Sequence, residues 1–165
     1  MDNAQDLLNF LGEGGDYDLD TVDDTVMGGV SDSRLRRTDS GIALFTGEVS
    51  LENNGGFSSA QVTLPPTDID GATEIWLRVR GDGQSYGLNL RSAGMTRLSY
   101  RAGFDAPEDW QTLALPLLSF RPVRFGDVVP DAPPLDTTKI TMVGFILVGQ
   151  PGPFQLEIAR VWADR

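Results

Sequence analysis

The chain of 165 residues reads as an all-β protein, a β-sandwich or jelly roll with a short N-terminal helical segment. Three observations carry that reading. Apolar and polar residues alternate at period two through several short stretches, the pattern of strands with one buried face. Clusters of turn-forming residues separate those stretches, among them Asn53-Asn54-Gly55-Gly56, Pro65-Pro66, Gly81-Asp82-Gly83, Ser92-Ala93-Gly94 and Gly149-Gln150-Pro151-Gly152-Pro153. Helical periodicity is hardly present beyond residue 15, and many short strands without helices point to the sandwich and jelly-roll classes.

Taken in order, Leu7, Leu8, Phe10 and Leu11 have a spacing that predicts one or two amphipathic helical turns within residues 1–15. In 42–51 the apolar Ala43, Phe45, Val49 and Leu51 alternate with Thr46, Glu48 and Ser50, a strand with one wet face. Further strands are predicted over 58–64, 74–80, 85–91, 96–102, 111–115, 139–148 and 154–162, eight in all. Residues 140–148 are nearly all apolar, which predicts a central strand covered on both faces. Residues 122–134, with Gly126 and four prolines, predict one long irregular loop. Neither an internal repeat nor a linker divides the chain, so a single domain over 1–165 is expected.

Composition narrows the function classes. Against 24 acidic residues stand 13 basic ones, a net charge of −11, which suits neither nucleic acid nor anionic lipid because phosphate contacts need clustered Lys and Arg. Lys139 is the only lysine beside twelve arginines, and aspartate outnumbers glutamate 18 to 6, as in a salt-adapted surface or an ordinary acidic protein of a GC-rich genome. Residues 1–10 carry Asp2 and Asp6 and no basic residue, unlike a secretory signal or transit peptide. No apolar run approaches the roughly 20 residues that span a bilayer. The expectation is a soluble, cytoplasmic, prokaryotic protein without membrane insertion. Cysteine and histidine are absent, which removes disulfides, thiol catalysis and the commonest general base and metal ligand.

Two segments stand out: Asp23-Asp24-Thr25-Val26-Met27-Gly28-Gly29-Val30-Ser31-Asp32-Ser33 and Ser50-Leu51-Glu52-Asn53-Asn54-Gly55-Gly56-Phe57. Each sets a Gly-Gly pair beside small polar residues and a large apolar one, so both read as shaped turns using positive φ. Their wording, with Asp24, Met27, Gly28, Gly29, Ser31, Asn53, Asn54, Gly55, Gly56 and Phe57, resembles the complex I intermediate-associated protein 30 family. The likeness continues through 81–91, 109–122 and 152–161, covering about 23 to 162. The resemblance implies a jelly roll of the galactose-binding-like kind, similar to some carbohydrate-binding modules, and a role in assembling respiratory NADH dehydrogenase as in the mitochondrial members.

Three constellations bear on chemistry. If Ile75, Leu77 and Val79 face the core, Trp76, Arg78 and Arg80 face away; likewise Asn89 and Arg91 on the next strand, and Arg97, Ser99 and Arg101 on the third. Hairpin-connected, these strands would gather five arginines, one tryptophan and one asparagine on one face, a basic patch for an acidic or polar partner. The bland alternative is a charged layer paired with neighbouring carboxylates. Asp23, Asp24, Ser31, Asp32, Ser33, Glu52, Asn53 and Asn54 offer oxygen ligands, yet they lack the alternate-position spacing of a calcium loop, and Asx turns account for them without a metal. No carboxylate pair or Ser-Lys arrangement marks an active site, although Trp76, Trp110 and Trp162 could stack on sugars. The reading is a non-catalytic binding or assembly factor without cofactor, acting through protein–protein contacts with partners such as respiratory complex subunits. The alternative is a carbohydrate-binding module with a glycan ligand.

Overall fold

The computed structural model describes residues 4–10, 18–23, 32–38, 42–50, 56–94, 98–124, 127–148 and 151–164. Their strands are β1 (Ala4–Asn9), β2 (Asp18–Asp23), β3 (Asp32–Arg37), β4 (Ala43–Val49), β5 (Phe57–Thr67), β6 (Glu74–Arg80) and β7 (Ser85–Ser92). After these come β8 (Ser99–Asp105), β9 (Gln111–Pro116), β10 (Arg121–Arg124), β11 (Asp127–Val128), β12 (Ile140–Val148) and β13 (Gly152–Asp164). A 3₁₀ turn, Leu117–Ser119, follows β9.

All pairings are antiparallel and build two sheets. The first runs β3-β4-β13-β6-β9, with β1 also paired to β13; the second runs β11-β10-β8-β7-β12-β5-β2. This is the expected sandwich, and the eight strands read from alternation are all present. β12 takes the central place that its apolar run predicts, between β7 and β5. Facing side chains fill the core: Ile75, Leu77 and Val79 of β6 and Phe154, Leu156 and Ile158 of β13 from one sheet, Leu88, Leu90, Val143 and Phe145 from the other. Phe154 meets Phe45 edge-on at 4.8 Å and Tyr86 of the opposite sheet at 6.4 Å, tying the layers together through a ring cluster.

Among the described residues of the N-terminal segment no helix is formed; Ala4–Asn9 is strand. Leu7 is an extra residue in the β1–β13 ladder, between Asp6 opposite Trp162 and Leu8 opposite Val161. The bulge lets two consecutive leucines reach the core, at 3% and 0% exposure. That departure from period two makes Leu7, Leu8 and Phe10 imitate a helical stripe; Leu11 lies outside the described residues. A second irregularity, between Ile158 and Arg160, switches the parity of β13, so Ile158 and Val161 both face inward while Arg160 and Trp162 face out.

The long loop expected over 122–134 is also corrected. β10 pairs with β8, and β11 folds back on β10 with Val123 opposite Val128. Beyond it Val129, Ala132 and Leu135 pack on the core, and the Tyr100 hydroxyl donates to the Pro133 carbonyl. The prolines shape a return path whose apolar members are held by the fold.

Both motif segments connect one sheet to the other. Residues 24–31 join β2 of the second sheet to β3 of the first, and 50–56 join β4 of the first to β5 of the second. Asp23 pairs with Ser58 and Asp32 with Glu48, so the two crossovers belong to the same end of the sandwich. Gly56 has φ 138, a backbone region in which a Cβ is strained. Phe57 is half-buried at the start of β5. Asp24, Met27, Gly28, Gly29, Ser31, Asn53, Asn54 and Gly55 lie outside the described residues.

Candidate functional site

The single arginine face expected from three hairpin-connected strands is divided between the two outer faces. β6 belongs to the first sheet, whereas β7 and β8 belong to the second. Alternation correctly turns Trp76, Arg78, Arg80, Asn89, Arg91 and Arg101 away from the core; the hairpin between β6 and β7 is what fails. Residues 81–84 form a corner that changes sheets. There Gly81 N donates to the Pro107 carbonyl at 2.6 Å and Gly83 N to that of Ala106 at 3.0 Å. A Cβ on Gly81 would lie 2.5 Å from that of Ala106, and Gly83 has φ +82, so both positions require glycine. The Asp82 carboxylate secures the corner, accepting from Gln84 N at 3.2 Å, Gln84 Nε2 at 2.7 Å and Gln155 N at 2.9 Å.

On the first sheet two of the cations, Arg80 and Arg160, are matched by carboxylates. Arg80 forms a two-pronged pair with Glu157 at 2.9 and 3.0 Å, and that hydrogen-bonded carboxylate raises its pKa. Arg160 meets Asp6 at 2.5 Å and lies 4.4 Å from the centre of the Trp162 ring. Arg78 and Arg80 both cover Trp110, at 5.8 and 5.3 Å. Trp76 is half-buried and stacks on Trp162, directly opposite it in register, at 6.3 Å and 13°. Here the charged-layer reading describes Arg80, whereas Arg78 donates to Thr112 Oγ1 at 3.3 Å.

On the second sheet the balance is different. Asn89 is 7% exposed and accepts at Oδ1 from Arg101 Nε at 2.8 Å. Arg91 donates to Ser99 Oγ at 2.9 Å, and its Nε is buried with no hydrogen-bond partner among the described residues. Neither guanidinium joins an ion pair among those residues, where the ion pairs are Arg80 with Glu157 and Arg160 with Asp6. Burial pushes the pKa of both Arg91 and Arg101 down, yet arginine keeps its charge. Arg97 lies outside the described residues.

Five further residues of this face were not singled out in the sequence. Arg121 of β10 is exposed and sits opposite Arg101 in register, two like charges side by side. Gly87 and Gly144 lie inside strands: a Cβ at Gly87 would be 2.9 Å from Ile146 Cγ2 and 3.0 Å from Arg101 Cδ, so this glycine admits the arginine stem. A glycine within a strand pattern is the available sequence signal of such close approach. Met142 and Ile146 flank the cations and are 4% and 9% exposed although they lie outside the core cluster. The arrangement offers partly desolvated guanidinium donors packed against buried apolar side chains. Among the described residues no group of three or more His, Cys, Asp or Glu comes together as a metal site, and no helix is long and apolar enough to cross a membrane.

The architecture is a jelly-roll β-sandwich. It is similar to the family 11 carbohydrate-binding module of a cellulosomal cellulase of Clostridium thermocellum, with a TM-score of 0.70 at 14% identity, covering 100% of this chain and 96% of that one. A family 11 module from the same organism, in complex with a β-1,3-1,4-mixed-linked tetrasaccharide, aligns with a TM-score of 0.67 at 16% identity, covering 98% and 95%. Identities this low define the fold alone. Residues 9–158 match the Complex I intermediate-associated protein 30 family, and the chain belongs to it. The mitochondrial Complex I intermediate-associated protein 30 of Neurospora crassa is 27% identical over 127 residues, 70% of this chain and 45% of that protein. The chain thus spans less than half the length of this relative.

Proposed function

We propose that this chain is a non-catalytic assembly factor that acts in the cytoplasm as a single chaperone-like module, through protein–protein contacts made by the outer face of the second sheet. The name of its family points to intermediates of respiratory complex I as the partner class. The observation that carries the placement is the pair Arg91 and Arg101, partly desolvated and unmatched by carboxylates among the described residues of a chain with net charge −11. An unneutralised, desolvated charge costs stability, which a partner's surface can offset. On the first sheet Arg78 and Arg80 are occupied with Thr112, Glu157 and Trp110.

The carbohydrate-binding reading has the fold in its favour. Against it, Trp76 and Trp162 stack on each other, and Trp110 lies beneath two arginines, so the tryptophans are engaged internally and on the other sheet. The test is a pull-down from the native host. With Arg91→Glu and Arg101→Glu together, partners should be lost; with Arg78→Glu and Arg80→Glu they should be kept. A folded Arg91→Glu/Arg101→Glu protein that recovers the same partners would refute this placement, and a glycan-array hit on the unmodified chain would favour the alternative.

A further inference from the structure

Resting on the placement above, we infer that the second sheet's outer face receives an extended acidic peptide segment whose carboxylates fall at alternate positions, an acidic-x-acidic pattern. Asn89 stands directly opposite Arg101, and Arg91 is two residues beyond Asn89 on the same strand and the same face. The two arginines are therefore diagonal neighbours across β7 and β8, with backbones about 7–8 Å apart. In an extended peptide, side chains two residues apart share a face and are separated by about 6.8 Å. That repeat matches the arginine spacing; adjacent acidic residues would point to opposite faces and engage at most one.

The donors available fit the same occupant. A guanidinium carries five N–H donors. Arg101 commits its Nε to Asn89 and Arg91 commits one terminal nitrogen to Ser99, which leaves the other terminal nitrogens of the two guanidinium groups without a hydrogen bond among the described residues. Both hydrogen-bond partners are neutral, so the remaining donors favour an acceptor that brings negative charge. Arg121, opposite Arg101 and exposed, extends the cationic row toward the edge, where a third carboxylate would relieve the repulsion between the two.

The experiment uses three fluorescent octapeptides in one threonine-serine background: two glutamates spaced Glu-x-Glu, two adjacent, and two glutamines at the alternate positions. Anisotropy with the full chain at low salt should show Glu-x-Glu binding about fivefold or more tighter than the adjacent pair, with glutamine weakest. Arg101→Gln and Arg91→Gln should each abolish the spacing preference, Arg78→Gln should keep it, and lysine at 91 and 101 should lose most of it by removing the planar fork. Equal binding of both glutamate peptides, or a preference that survives Arg101→Gln, would overturn the inference. Failure of every peptide while the host pull-down still requires Arg91 and Arg101 would overturn it too, leaving the assembly reading with a partner of other shape.

Discussion

The hydroxyl of Tyr86 donates to the carboxylate of Asp82, its oxygen 3.1 Å from each carboxylate oxygen, so a core ring and the sheet-changing corner stabilise each other. Burial first, then the negative charge of Asp82, push the phenol above its ordinary 10.0. A raised folded-state value means the unfolded chain loses this proton first. The contribution is full below pH 10.0 and is lost as pH rises above it. Tyr86→Phe should cost about 1.5–3 kcal/mol at pH 7, the range for a hydrogen bond to a charged group. Urea denaturation of both proteins should show the gap narrowing above about pH 10. A gap constant to pH 11 would show that Tyr86 does not govern alkaline stability.

Leu7 and Leu8 supply a test of the bulge. Since both are buried, Leu7→Ala and Leu8→Ala should each lower stability by about 2–5 kcal/mol, while the exposed Gln5 tolerates alanine. A loss at only one leucine would mean that the segment keeps a regular period of two.

That segment also shows where sequence reading stops. Alternation identified β4 to β9, β12 and β13, whose inward apolar residues pack on the core, those of the edge strand β9 in part. It missed β3, in which Arg34 and Arg36 are exposed and Leu35 is only half-buried, because an edge strand needs little apolar surface and gains from charge. It missed β10 because Pro122 and the neighbouring prolines dominate the local composition. For the site, period two correctly turned Arg78, Arg91 and Arg101 outward. Which sheet each strand joins depends on the corner around Asp82, a contact with Gln155 that is remote in sequence and carries no local pattern.

Gly144 should resist the smallest possible enlargement. A Cβ there would lie 2.9 Å from the Ala60 carbonyl oxygen and 3.2 Å from Met142 Sδ, and Ala60 is held in the adjacent ladder. Gly144→Ala is expected to cost about 1–3 kcal/mol by overpacking. At Gly103, exposed and with its nearest obstacle 3.8 Å away, alanine should change stability by no more than about 0.5 kcal/mol. Equal melting temperatures for the two variants would refute the close approach of β12 and β5.

The two outer faces should also respond oppositely to charge removal. Asp6 accepts from Arg160 and from Asn9 at 3.1 Å, and Arg160 lies opposite Arg78 in register. Asp6→Asn leaves those two cations facing each other and should lower stability by up to about 1 kcal/mol, less in high salt. Arg101→Gln removes a cation that lacks a counter-ion among the described residues and stands opposite Arg121, at the expense of one hydrogen bond to Asn89. Those effects nearly offset, so stability should stay within about 1 kcal/mol of the parent or rise. Urea denaturation of both variants at low ionic strength makes the comparison. If Arg101→Gln is the more damaging of the two, Arg101 serves the fold itself, and the second sheet's cations are structural rather than held for a partner.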